Sequence, residues 1–203
     1  MTKSGRILVV GINGSPRKSG GTVNMLREAL SSSEANGAKS KLIHLLDYKM
    51  QPYRGDYNRK PDRESLRLLK ELEKADCIIL ATPTHWLGPS SLMKIFVDNL
   101  TYLEVRGFVL QGKVVGVLAH CWEDGGFGVA RDLAGILNTM GCVLPPYSMH
   151  MKNRFLKRNG QTDWMWTDSK LLGKNVVTMA EMEKETMPDW SRRKSRFLKS
   201  ARA

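Results

Sequence analysis

Cysteine is scarce: Cys77, Cys121 and Cys142 are the 3 in a chain of 203 residues, and no CxxC pair occurs. An odd count at wide spacing excludes a disulfide framework and a zinc or iron–sulfur knuckle of paired thiols. Cys77 and Cys142 sit in apolar runs and read as small buried hydrophobes, while Cys121 follows a strand and lies nearer a site. No apolar run approaches the roughly 20 residues of a membrane-spanning helix, so no membrane partner is expected. The opening MTKSGRILVV enters a strand-like run directly, which is unlike a secretory signal, and the expected location is cytoplasmic. Internal repeats and low-complexity linkers are also missing. The expected organisation is one domain over 1–188 and a basic tail over 189–203.

Acidic residues are outnumbered, and the net charge is +12. Arg192, Arg193, Lys194, Arg196, Lys199 and Arg202 face only Asp189 in the tail, so 5 of these net charges lie there. Trp190 and Phe197 interleave with them, but such a run is ordinarily a solvated tail or orders against a neighbouring subunit. Nucleic acid is therefore not the expected partner. The remaining charge suits anionic small molecules, nucleotides included.

Hydrophobic residues make up 41% of the chain, enough for a sizeable core, and they alternate between two periodicities. Strand runs are read at Arg6–Ile12, Ser40–Leu46, Asp76–Thr82, Lys113–His120 and, more weakly, Cys142–Tyr147. Helical spacing is read at Thr22–Ala35, Arg63–Lys74, Ser91–Glu104, Phe127–Met140 and Lys170–Glu185. Strands alternating with helices predict an α/β fold: a five-stranded parallel sheet covered on both faces. The flavodoxin-like three-layer sandwich, with strand order 2-1-3-4-5, suits this length. The long connections are Asp47–Asp62 and Met149–Asp168.

In such a sheet, ligands bind beyond the carboxyl ends of the strands, and the loops after the first, third and fourth strands carry unusual residues. The first reads Gly14-Ser15-Pro16-Arg17-Lys18-Ser19-Gly20-Gly21-Thr22 and opens a helix. Unpaired N–H groups and the helix dipole favour an anion there. Gly20 and Gly21 let the backbone curl around it, Ser15, Ser19 and Thr22 offer hydroxyls, and Arg17 and Lys18 add charge. Neither GxxxxGK[ST] nor GxGxxG is present, so the loop is neither a Walker loop nor a dinucleotide fingerprint.

The loop after the third strand, Pro83-Thr84-His85-Trp86-Leu87-Gly88, pairs a flat aromatic with a pliable backbone on which a planar ring could lie. The loop after the fourth, His120-Cys121-Trp122-Glu123-Asp124-Gly125-Gly126, has the same character. Trp86 and Trp122 also suit a subunit interface or a lid. His85 and His120 end strands but lack a third ligand at sensible spacing, so no metal is expected. His44 and His150 read as structural or solvent-facing.

At GSPRKSGGT, at TPTHWLGPSSLMKIFVDN and at Gly125-Gly126 the chain resembles the NADPH-dependent FMN reductases, in particular the iron–sulfur flavoprotein-like members, over about residues 6–148. The resemblance implies FMN, with its phosphate at Ser15, Arg17, Gly21 and Thr22. It implies ring contacts from Pro83, Thr84, His85, Trp86, Leu87, Gly88 and the His120–Gly126 loop. It further implies a homodimer or homotetramer with sites at subunit contacts. Cluster-bearing relatives carry a compact cysteine motif after the second strand, whereas Asp47–Asp62 here holds no cysteine, so no cluster is expected. The implied activity is hydride transfer from NADPH or NADH to FMN and on to a small acceptor: a quinone, nitro compound, flavin or metal ion. An electron carrier without NAD(P)H turnover is the alternative. No dedicated acid or base is required, and no catalytic residue is singled out.

Overall fold

The computed structural model describes residues 5–57, 60–153 and 163–186, with side chains of the last stretch from Asp168 onward. The basic tail at 189–203 and residues 154–162 of the connection expected at 149–168 lie outside the described residues.

The elements are β1 (Leu8–Asn13), α1 (Gly21–Ala35), β2 (Lys39–His44), a 3-10 turn (Leu45–Asp47), α2 (Arg63–Lys74), β3 (Cys77–His85), β4 (Gly88–Pro89), α3 (Ser91–Asn99), α4 (Thr101–Val105), β5 (Val114–Cys121), α5 (Gly126–Thr139), β6 (Met149–Asn153) and α6 (Asp163–Thr186). The main strands run parallel in the order β2-β1-β3-β5-β6, which is the expected flavodoxin-like order with β5 and β6 as the fourth and fifth strands. The short β4 pairs antiparallel with the end of β3.

Strand alternation divides the core in two. Val10, Ile12, Ile78, Leu80, Val115 and Val117 face one way, against Leu68, Leu69 and Leu72 of α2, Phe96 of α3 and Val129 and Leu133 of α5. Val9, Ile79, Ala81 and Leu118 face the other way, against Met25, Leu26 and Ala29 of α1 and Leu172, Val176 and Val177 of α6. Each fully buried Leu or Ile is worth about 1.5–3 kcal/mol, so both faces reward the alternation strongly. On α6 the inward face is Leu172, Val176, Val177 and Ala180, while Met182 is exposed.

Four boundaries differ from expectation. Helix α6 begins at Asp163 rather than Lys170, so it takes in the end of the connection expected at 149–168. The fifth strand is Met149–Asn153, not Cys142–Tyr147. The earlier run makes only an isolated bridge from Val143 to Val114, because Pro145 and Pro146 carry no N–H to donate to a ladder. The helix expected over 91–104 divides at Leu100, whose N–H donates to the Val97 carbonyl oxygen at 3.0 Å while the Asn99 side-chain amide donates to the carbonyls of Ile95 (2.9 Å) and Gln51 (3.0 Å). The third strand runs on to His85 because a hairpin continues it.

The long connection after β2 ends at Asp62, the N-cap of α2. Its carboxylate accepts from the N–H groups of Glu64 (2.9 Å), Ser65 (3.0 Å) and Gln51 (3.0 Å) and from the Ser65 hydroxyl (2.7 Å). Burial pushes the carboxyl pKa up, and these bonds outweigh it, holding the group below its ordinary value.

Candidate functional site

The loop from β1 to α1 is built around Asn13, which is fully buried. Its Oδ1 accepts from Ser15 N–H at 3.1 Å, and its Nδ2 donates to the Arg17 carbonyl at 3.1 Å. Ser15 Oγ in turn accepts from Arg17 N–H at 3.1 Å, leaving the hydroxyl proton for another partner. Gly14 N–H bonds the Ala81 carbonyl of β3 at 2.7 Å.

Helix α1 starts from Gly20, whose φ is 111°, and no side chain caps it. Its first N–H groups have no partner inside the helix, and the positive end of the dipole lies with them. Ser15 and Thr22 are buried, whereas Arg17, Lys18, Ser19 and Gly20 are exposed. Lys18 Nζ lies 2.5 Å from Asp47 Oδ1 on the 3-10 turn, so its charge is shared with a carboxylate.

The loop after β3 is a two-residue β-hairpin: His85 pairs with Gly88 and Thr84 with Pro89, across Trp86 and Leu87. Both turn residues have positive φ, 48° and 62°, as a type I′ turn requires. That turn favours Asn and Gly; each side chain in left-handed backbone costs about 1–2 kcal/mol. Here it holds Trp86 fully exposed and Leu87 largely exposed. Thr84 Oγ1 is buried and has no hydrogen-bond partner among the described residues.

Ser90 ties this loop to the first. Its hydroxyl donates to the Gly14 carbonyl at 2.5 Å and accepts from Met93 N–H at 3.1 Å, and its N–H donates to Thr82 Oγ1 at 3.1 Å.

The loop after β5 touches both others. A Cβ on Gly21 would collide with Nε2 of His120, so that ring lies directly against the start of α1. Gly125, at φ 79°, abuts the hairpin: a Cβ there would meet Leu87 Cδ2 at 2.8 Å, Leu87 Cα at 3.1 Å and Thr84 Cγ2 at 3.3 Å. Helix α5 likewise begins on Gly125 without a side-chain cap.

The three loops expected to cooperate therefore meet at one end of the sheet. Cys121 is turned elsewhere. Its thiol is 3.6 Å from the Lys152 carbonyl and 3.9 Å from Met151 Sδ, in the seam between β5 and β6. Burial is the main influence on that thiol and pushes its pKa up. Trp122 and Phe127 are exposed beside the loop. Asn13, Ser90 and His44 were not singled out from sequence as site residues. The one available signal was a polar residue closing a buried strand, as Asn13 does.

An uncapped helix start beside a serine hydroxyl, next to a glycine-bounded hairpin with an orphaned threonine hydroxyl, defines an α/β protein fit for a phosphate-bearing planar cofactor. The chain belongs to the NADPH-dependent FMN reductase family, whose profile matches residues 7–154.

It is similar to an iron–sulfur flavoprotein of Methanocaldococcus jannaschii, 34% identical over 117 residues, covering 55% of this chain and 60% of that protein. An iron–sulfur flavoprotein of Archaeoglobus fulgidus is 31% identical over 137 residues, 64% of this chain and 60% of that one. The match thus spans about three-fifths of the length of these relatives. In fold it resembles RosB bound to 8-demethyl-8-formylriboflavin-5′-phosphate, with TM-score 0.76 and 21% identity over 89% of this chain and 81% of that one. It also resembles a flavodoxin, WrbA-like protein of Agrobacterium tumefaciens, with TM-score 0.63 and 20% identity over 88% of this chain and 99% of that one. No helix among the described residues is long and apolar enough to cross a membrane.

Proposed function

We propose that the protein is an NAD(P)H oxidoreductase that holds FMN at the three-loop junction and passes electrons to a small acceptor. The observation that carries this reading is the start of α1: a helix without a side-chain cap, entered through Gly20 and flanked by the buried Ser15 and Thr22 hydroxyls. FMN supplies two-electron acceptance from a nicotinamide and one- or two-electron donation onward.

The chain's own groups bind and orient. The N–H groups at the start of α1, with Ser15 and Thr22, would hold the phosphate dianion, and the exposed Arg17 would add charge. The main chain of the hairpin, with the orphaned Thr84 hydroxyl behind it, would hold the polar edge of the ring, and Gly125 keeps the hairpin close to the third loop. Trp86, Leu87, Trp122 and Phe127 expose apolar surface beside this junction, which suits a second copy of the chain that excludes water from the ring. The homodimer or homotetramer is thus part of the proposal.

The segment Asp47–Asp62 holds no cysteine, so the acceptor is proposed to be a diffusing small molecule rather than a bound cluster. The test is the visible spectrum of the FMN-loaded protein under anaerobic conditions. Rapid bleaching by NADPH or NADH, reversed by a quinone, is expected. Tight FMN binding with no bleaching by either nucleotide would leave an electron carrier. A protein that takes up no FMN would reject the proposal outright.

A further inference from the structure

The register of β1 and β2 sets Asn13 directly beside His44. Besides its bonds to Ser15 and Arg17, the Asn13 Nδ2 lies 2.8 Å from His44 Nδ1. The two backbone partners fix which way the amide points, because an N–H can only donate and a carbonyl can only accept. Nδ2 therefore faces the imidazole, and His44 Nδ1 has to be the acceptor, with the ring neutral and its proton on Nε2. A protonated ring carries N–H at both positions and meets Asn13 donor against donor. Turning the amide over would rescue that contact. It would also set a donor against Ser15 N–H and an acceptor against the Arg17 carbonyl, so both loop bonds would be lost.

We propose that His44 is a positioning residue for the phosphate loop: its unprotonated Nδ1, acting through Asn13, holds Ser15 and Arg17 in the arrangement that receives an anion. This rests on the reading of that loop as the FMN phosphate site.

The ring's surroundings agree with a neutral imidazole. Burial is the largest influence and pushes the His44 pKa below its ordinary 6.5; Asp47 of the 3-10 turn opposes this, and Lys18 of the loop and Arg27 of α1 add to it. Asn13 is the group that β1 presents. The bound state carries fewer protons on His44, so affinity for FMN is full above the ring's pKa and falls as pH drops through it.

The experiment measures the FMN dissociation constant, by quenching of FMN fluorescence, in a series from about pH 8 down to about pH 4 for the native chain, His44→Asn and His44→Leu. Asparagine places a non-titrating Oδ1 where Nδ1 stood. The cofactor phosphate itself takes up a proton near pH ~6, which affects all three chains alike, so the readout is the ratio between them. At pH 8 the native chain and His44→Asn are expected to bind equally, and His44→Leu at least several-fold more weakly. Below the ring's pKa the native chain should lose up to about tenfold per pH unit relative to His44→Asn. Three results overturn the inference: native and His44→Asn running parallel at every pH, the native chain gaining on His44→Asn in acid, or His44→Leu matching native at pH 8. A native chain that binds no FMN at pH 8 removes the phosphate-site reading itself, which is a different failure.

Discussion

Replacing Gly125 by Ala adds one methyl group where the third loop touches the hairpin. Two costs follow. The backbone there is left-handed, φ 79°, which disfavours a Cβ by about 1–2 kcal/mol. The methyl also arrives 2.8 Å from Leu87 Cδ2, which can swing aside, and 3.1 Å from Leu87 Cα, which belongs to the main chain and has to shift by a few tenths of an ångström. Together these amount to about 2–3 kcal/mol, equivalent to a melting-temperature drop of about 4–12 °C for a chain of this size.

The shift pushes the hairpin off the third loop, so FMN affinity should fall by about tenfold or more, since each 1.4 kcal/mol is a factor of about 10. Gly135→Ala is the control: it lies exposed in α5 with nothing near its Cβ, and Ala should match or slightly stabilise the native chain. The assay pairs thermal unfolding of the apo chain with FMN titration. Gly125→Ala unfolding lower yet binding FMN as tightly as the native chain would refute the claim that the contact of these two loops shapes the cofactor site.

The hairpin carries strain that a sequence change should release. Replacing Trp86 by Asn together with Leu87 by Gly installs the pair a type I′ turn prefers, and thermal stability should rise by about 1–3 kcal/mol while NAD(P)H turnover falls; a lower melting temperature would contradict the strain. Asp62→Ala removes a four-donor cap and should cost about 1–2 kcal/mol or somewhat more at neutral pH by thermal unfolding. Because the folded carboxyl titrates below its ordinary 3.8, that stability is present above this value and is lost as pH falls through the folded pKa. A gap between native and Asp62→Ala that persists undiminished in strong acid would contradict this.

The alternation of buried strand runs with helical spacing was enough to read the layers and strand order, because both faces of a parallel sheet demand apolar residues. The β1–α1 loop was legible for a local reason: Ser15, Gly20, Gly21 and Thr22 are the residue types a bare helix start requires. The hairpin was not, because Trp-Leu is a poor I′ pair and its shape is imposed by the pairing of Thr84 and His85 with β4. Strand β6 escaped notice because MHMKN is half polar and sits at the sheet edge, after two prolines that end the more apolar run. The link from Asn13 to His44 depends on the register between two strands separated by all of α1, which no local pattern reveals.

If the start of α1 grips a phosphate, a flavin that carries one binds more tightly than a flavin that does not. Comparing FMN with riboflavin, which has the same ring and no phosphate, isolates that grip in a pair of titrations. FMN should bind tighter by at least about 100-fold, since two to three charge-assisted bonds are worth about 1.5–3 kcal/mol each. Equal affinities for the two flavins would contradict it.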